Sequence, residues 1–136
     1  MTKLTPILTL VLAMLAGPTL AQDAAAGEVV FAKCKACHSV IGPDGTAFQK
    51  GGKTGPNLYG VIGRPVASVA GFKYGDSILT VGASGAVWDE ASLAAYVANP
   101  AAWLQEKTGD SAAKSKMSFK LAEGGADVAA YLASVK

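Results

Sequence analysis

Residues 39–88 are dominated by Gly, Pro, Ser and Asn and carry no sustained helical or alternating period, and this constrains the fold more than any other feature. A segment that long without regular structure does not build a core alone; a compact domain accommodates it when the chain wraps around something. A large buried cofactor meets that need. The 16 glycines point the same way, because glycine lets backbone turn tightly or approach a bound group closely.

The residues able to hold such a group stand just before this segment. The chain has 2 Cys and 1 His, all within "CKACH", as Cys34, Cys37 and His38. A structural zinc site takes four protein ligands and a catalytic one three; three are reached here only if adjacent Cys37 and His38 share the metal. A thioredoxin-type dithiol belongs beside a strand–helix unit, whereas this cluster follows a helical segment. A disulfide across so short a loop removes little chain entropy and leaves His38 without a role. The order Cys-x-x-Cys-His matches c-type haem attachment. Two thiols at this spacing can add to the vinyl groups on one edge of a porphyrin, which puts the next residue's imidazole under the iron.

The opposite ligand emerges from a census. Of 3 methionines, Met1 is the initiator and Met14 sits in the leader, which leaves Met117 in "KSKMSFKLA". A methionine is often a flexible core filler, but this one lies in a polar stretch between helical segments, a better place for an iron ligand. A His/Met pair gives a saturated centre of raised potential with no open position for substrate.

The opening "MTKLTPILTLVLAMLAGPTLAQD" has one cation, Lys3, then an apolar run from Leu4 to Ala16, a Gly17-Pro18 break and a small-residue site ending at Ala21. The run is short against the roughly 20 residues of a membrane span. We expect residues 1–21 to be a cleaved secretory signal and 22–136 one exported domain, in a compartment where free thiols tend to be oxidised or occupied. Net charge is +2, one unit lower once Lys3 leaves, which argues against nucleic acid as a partner.

Helical character is predicted for 23–34, for 89–100 with Asp89 as N-cap and Leu93, Tyr96 and Val97 on one face, and for 124–136 with Val128, Tyr131, Leu132 and Val135. Lys136 suits the end of that last helix. A shorter helix is predicted after Pro100, and no strands.

On these residues the chain resembles the class I c-type cytochromes of the bacterial cytochrome c2 type. The similarity covers essentially the whole mature chain through "CKACH", "KTGPNLYGVIGR", "GFKYGDS", "AYVANP", "KSKMSFKL" and "DVAAYLASV", in the family's order. It implies an all-α, single-domain fold, a few helices and long loops wrapped around one covalently bound haem c. It implies that the Pro56 carbonyl accepts from His38 and fixes its tautomer. It implies too that Arg64, Tyr74 and Trp88 hold an inner haem propionate, a buried carboxylate that needs such donors. The Tyr96 hydroxyl is expected at the Met117 sulfur, and Gly27, Phe31, Val128 and Tyr131 where the first and last helices cross. The stretches 38–53 and 100–117 are longer than in compact relatives, and Pro65 after Arg64 is expected to alter the local turn.

The resemblance implies a soluble, monomeric, periplasmic one-electron carrier rather than an enzyme. It would take an electron from a bc1-type quinol-oxidising complex and deliver it to a photosynthetic reaction centre or terminal cytochrome oxidase. Lys33, Lys35, Lys50, Lys53, Lys114, Lys116 and Lys120 would form a basic ring that steers transient docking. The alternatives are a haem enzyme or gas sensor in which Met117 leaves the iron open, a membrane-tethered electron-transfer subunit, and a thiol oxidoreductase.

Overall fold

Helix α1 (Ala24–Val30) begins where the Asp23 carboxylate accepts from the amides of Ala25 and Ala26, at 2.9 and 3.2 Å, in a computed structural model that describes residues 22–136. Such a cap satisfies first-turn donors that have no intrahelical partner. The proposed leader, 1–21, lies outside the described residues. A 3-10 turn, Phe31–Cys34, prolongs α1 and carries the chain into the Cys34–His38 cluster, where the amides of Cys37 and His38 donate to the Cys34 carbonyl.

The segment 39–88 holds more regular structure than its sequence suggests. Strands β1 (Val40–Ile41) and β2 (Ala47–Gln49) pair antiparallel, with an irregular register at Val40/Ile41. Between them Gly45 adopts φ 85°, and Asp44 accepts from the Thr46 amide at 3.0 Å. "PDG" is a turn signal with a known mechanism, but strands this short leave no readable alternation. Helix α2 (Asp76–Ala83) is likewise unexpected from the sequence. Its residues, DSILTVGA, include Ile, Thr, Val and Gly, weak helix formers; burial of Val81 outweighs them.

Helix α3 (Glu90–Ala98) starts as predicted at Asp89, which forms a reciprocal capping box with Ser92. Pro100 ends the predicted segment and opens α4 (Pro100–Thr108), capped by Asn99 and closed by Gly109 in a left-handed conformation. Helix α5 (Gly125–Ser134) stops short of Lys136, which stands beyond its end because Val135 is already extended.

Helix α5 crosses α1 as the family resemblance implies. Gly27 is buried, and a Cβ placed there would overlap the Asp127 backbone. Phe31 and Tyr131 pack with ring centroids 5.8 Å apart, and Val128 is buried in the same core. Among the described residues five short α-helices and one hairpin therefore enclose a single core in an all-α domain, with long loops spanning the gaps between helices. No helix among the described residues is long and apolar enough to cross a membrane.

Candidate functional site

The long loops close on a cavity of about 520 Å³, within the roughly 300–1,000 Å³ that takes a cofactor-sized molecule. Residues 37–56 contribute Cys37, His38, Gly55 and Pro56, and residues 114–119 contribute Met117 and Phe119. Arg64, Tyr74, Trp88 and Tyr96 line it as well. Of the two thiols only Cys37 borders the cavity; Cys34, at the end of the 3-10 turn, is half-buried against the core. Burial pushes the Cys34 thiol above its ordinary pKa, Cys37 adds to the rise and Lys33 opposes it.

His38 is held from its far side. Its Nδ1 lies 2.8 Å from the Pro56 carbonyl oxygen, so that nitrogen carries the proton and donates, leaving Nε2 with a free lone pair. Burial lowers the His38 pKa and the Pro56 bond opposes the change, which keeps the ring neutral and ready to ligate. A Cβ on Gly55 would fall onto the imidazole, so the ring fits only against glycine.

Arg64 and Trp88 are brought together by a short antiparallel run. The Gly63 amide donates to the Trp88 carbonyl and the Trp88 amide to the Arg64 carbonyl. Pro65 pairs with Val87, so the proline after Arg64 sits at an edge where no donor is required. The guanidinium donates to the carbonyls of Asn57 and Tyr59 at 3.1 and 3.2 Å. Burial lowers its pKa while Tyr74 opposes, yet an arginine stays cationic. Two Nη1 bonds leave it further N–H groups for an anion. The Tyr74 hydroxyl accepts from the Val69 amide at 3.1 Å.

Trp88 stacks on Trp103 at 5.1 Å, and Tyr96 packs against both rings. The Tyr96 hydroxyl, expected near the Met117 sulfur, lies 3.5 Å from Ser115 Oγ, two residues before that methionine. A thioether is a weak acceptor, and Ser115 in turn accepts from the Met117 amide at 3.1 Å, so Tyr96 reaches the methionine through a serine.

The lysines divide. Of those expected in a basic ring, Lys114 and Lys116 border the cavity; Lys33, Lys35, Lys50, Lys53 and Lys120 do not. Lys73, within "GFKYGDS", borders it without having been expected there. Gly55, Phe72, Ile78, Leu104, Ser115 and Phe119 also join the lining unexpectedly, since a single sequence carries no mark that separates a residue facing a cavity from one facing the core.

The donor set fits a haem. A mostly apolar cavity carries a neutral imidazole, a thioether, an adjoining thiol pair and an arginine with donors to spare. Among the described residues no three His, Cys, Asp or Glu side chains group to hold a metal ion.

The chain is similar to known proteins over nearly all of its length. The chain is 60% identical over 122 residues to cytochrome c2 of Rhodobacter capsulatus, covering 90% of this chain and 89% of that one. It is 60% identical over 135 residues to cytochrome c-550 of Paracoccus versutus, covering 96% and 88%. The crystal structure of the ferric Paracoccus versutus protein matches with a TM-score of 0.82 at 62% identity, over 85% of this chain and 98% of that one. The Rhodobacter capsulatus structure matches at 0.81 and 61% identity, over 82% and 97%. No family model matches.

Proposed function

The chain belongs to the class I c-type cytochromes of the cytochrome c2 type, haem-bearing electron carriers, and from that premise we propose that it is an exported, periplasmic, monomeric carrier of one electron with one covalently attached haem c. Cys34 and Cys37 would hold the haem through thioethers, and His38 and Met117 would be its axial ligands. The group supplies a one-electron iron couple whose potential is raised by methionine ligation.

This chain's own residues do the rest. Pro56 orients His38 and keeps its Nδ1 protonated. Arg64, with Tyr74 and Trp88 beside it, offers a propionate a cationic, half-buried seat. Phe72, Ile78, Leu104 and Phe119 supply apolar walls that limit water at the centre, which keeps reorganisation on electron transfer small. With Met117 and His38 both holding the iron, no site would be left for a substrate, and the protein would be a carrier rather than an enzyme.

The partners would be a bc1-type complex as donor and a photosynthetic reaction centre or cytochrome oxidase as acceptor. Lys73, Lys114 and Lys116 at the cavity rim, with Lys33, Lys35, Lys53 and Lys120 further out, would steer docking without tight binding. Cleavage after Ala21 would release residues 22–136.

The observation that carries this reading is that His38, anchored by Pro56, and Met117 border one apolar cavity. Absorption spectra of the oxidised and reduced protein, beside Met117→Ala, test it. A weak near-infrared sulfur-to-iron band in the oxidised protein, lost in the variant, is expected. A high-spin wild type that binds carbon monoxide on reduction would instead indicate an open-iron enzyme or sensor.

A further inference from the structure

Asn57 comes directly after Pro56 within "KTGPNLYGVIGR", a motif in which the roles so far fall to Pro56 and Arg64. Its Oδ1 accepts from the amides of Ile41 at 3.0 Å and Tyr59 at 3.1 Å, and its Nδ2 donates to the Ile41 carbonyl at 2.8 Å. The carboxamide thus offers Ile41 one donor and one acceptor, as a neighbouring strand would. The Asn57 main-chain carbonyl is taken by Arg64.

Pro56 has no N–H of its own, so neighbours place its carbonyl. On one side Gly55 N donates to Cys37 O at 2.7 Å. On the other stand the paired bonds of Asn57 to Ile41. Any play there reaches His38 Nδ1, 2.8 Å from the Pro56 oxygen.

We propose that Asn57 is a positioning residue: by locking onto Ile41 it fixes the Pro56 carbonyl against His38 Nδ1, and so sets the orientation and donor strength of the axial histidine. This rests on His38 being the iron ligand. Asparagine alone suits the place. Aspartate lacks the donor and brings a charge to a half-buried site, glutamine is one methylene too long, and leucine has similar size with no bonds. A looser Nδ1–H bond makes the imidazole a poorer donor to oxidised iron, so the reduction potential rises.

The test uses the holoprotein with Asn57→Leu and Asn57→Asp, and Phe48→Ala as control. Phe48 stacks on Tyr59 at 5.7 Å from an exposed position, and its loss removes that ring contact while leaving the Asn57 bonds to Ile41 and the Pro56 carbonyl in place. Two quantities are read: the reduction potential, and the exchange protection of the His38 Nδ1 proton by NMR. Asn57→Leu is expected to lower the oxidised-to-reduced ratio at fixed poise roughly tenfold, about 59 mV for one electron, and to lose the protection. Asn57→Asp keeps part of both, since its oxygens still accept from Ile41 and Tyr59. Phe48→Ala leaves both near wild type.

An Asn57→Leu protein with unchanged potential and protection overturns the proposal, as does a Phe48→Ala protein that moves them equally. If Asn57→Leu does not fold, Asn57→Asp decides by the same readouts, and wild-type values overturn it. A wild type without a low-spin His/Met spectrum sinks the ligand reading and this inference together. A low-spin wild type with silent Asn57 variants sinks this inference alone.

Discussion

Gly27 of α1 faces the backbone of Asp127 in α5 so closely that a Cβ would overlap the carbonyl, with Tyr131 Cβ at 2.9 Å behind it. The helices cross on bare backbone. Gly27→Ala gains helix propensity of about 1 kcal/mol, but α5 must move away to admit the methyl. Overpacking of this kind costs typically about 1–3 kcal/mol, more where backbone must shift. With the cost at the upper end of that range, because α5 backbone is what must move, we expect a net loss of about 1–2 kcal/mol, read as a lower denaturant midpoint at unchanged slope. A midpoint equal to or above wild type would show that the crossing can open freely.

Lys116 precedes Met117, and its Nζ donates to the Lys73 carbonyl at 3.1 Å while its stem lies over Gly75. The loop that carries the methionine is therefore tied to the 72–77 segment, with Lys114 N bonded to Ser77 Oγ as a second tie. An exposed bond of this type is worth about 0.5–1 kcal/mol. Lys116→Ala should release Met117 roughly two- to fivefold more often, measured as faster displacement of the methionine by added imidazole in the oxidised protein. An unchanged displacement rate would leave Lys116 no part in holding the loop.

Asp89 gives a pH dependence of defined sign. Its carboxylate accepts from the Ser92 amide at 2.7 Å, and this bond first, then the Ser92 hydroxyl, holds its pKa below the usual carboxylate value. A carboxyl depressed on folding contributes stability that is present above its unfolded pKa of about 3.9 and is lost as pH falls through the folded value. Asp89→Ala should therefore lower Tm at pH 7, and its gap from wild type should narrow below about pH 4. Asp89→Asn keeps a cap acceptor without the titration. A gap that stays constant from pH 7 to pH 3 would rule out this linkage.

Gln49 docks the hairpin onto the crossed helices. It is 9% exposed, and Nε2 donates to Tyr131 Oη at 3.1 Å and to Glu28 at 3.3 Å. Gln49→Leu keeps the packing but removes the donor from a buried hydroxyl, a loss of about 1–2 kcal/mol. Tyr131→Phe in the same background should recover part of it, because the orphaned hydroxyl goes too. A double-mutant cycle with no coupling would mean that the two groups are independent.

The site is legible in the sequence where chemistry is scarce. Cys34, Cys37, His38 and Met117 stand out because few other residues in the chain could serve as ligands, and Arg64, Tyr74, Trp88 and Tyr96 come from the family resemblance. All of these except Cys34 line one cavity. Asn57, Ser115 and Lys73 stay hidden, since each acts through a bond to a chain segment distant in sequence or through a place on a rim. Helix α2 stays hidden because its weak formers are overruled by packing.

Residue order alone dictates the local features. The caps at Asp23, Asp89 and Asn99 and the Pro100 junction depend on residues a few positions apart. Long-range closure of the chain is what brings the Tyr96 hydroxyl to Ser115, and what sets Ile41 to brace Asn57 behind His38. Those pairs join loops without periodicity, and a hydrogen bond within about 3 Å depends on where a whole chain closes, not on which residues it contains.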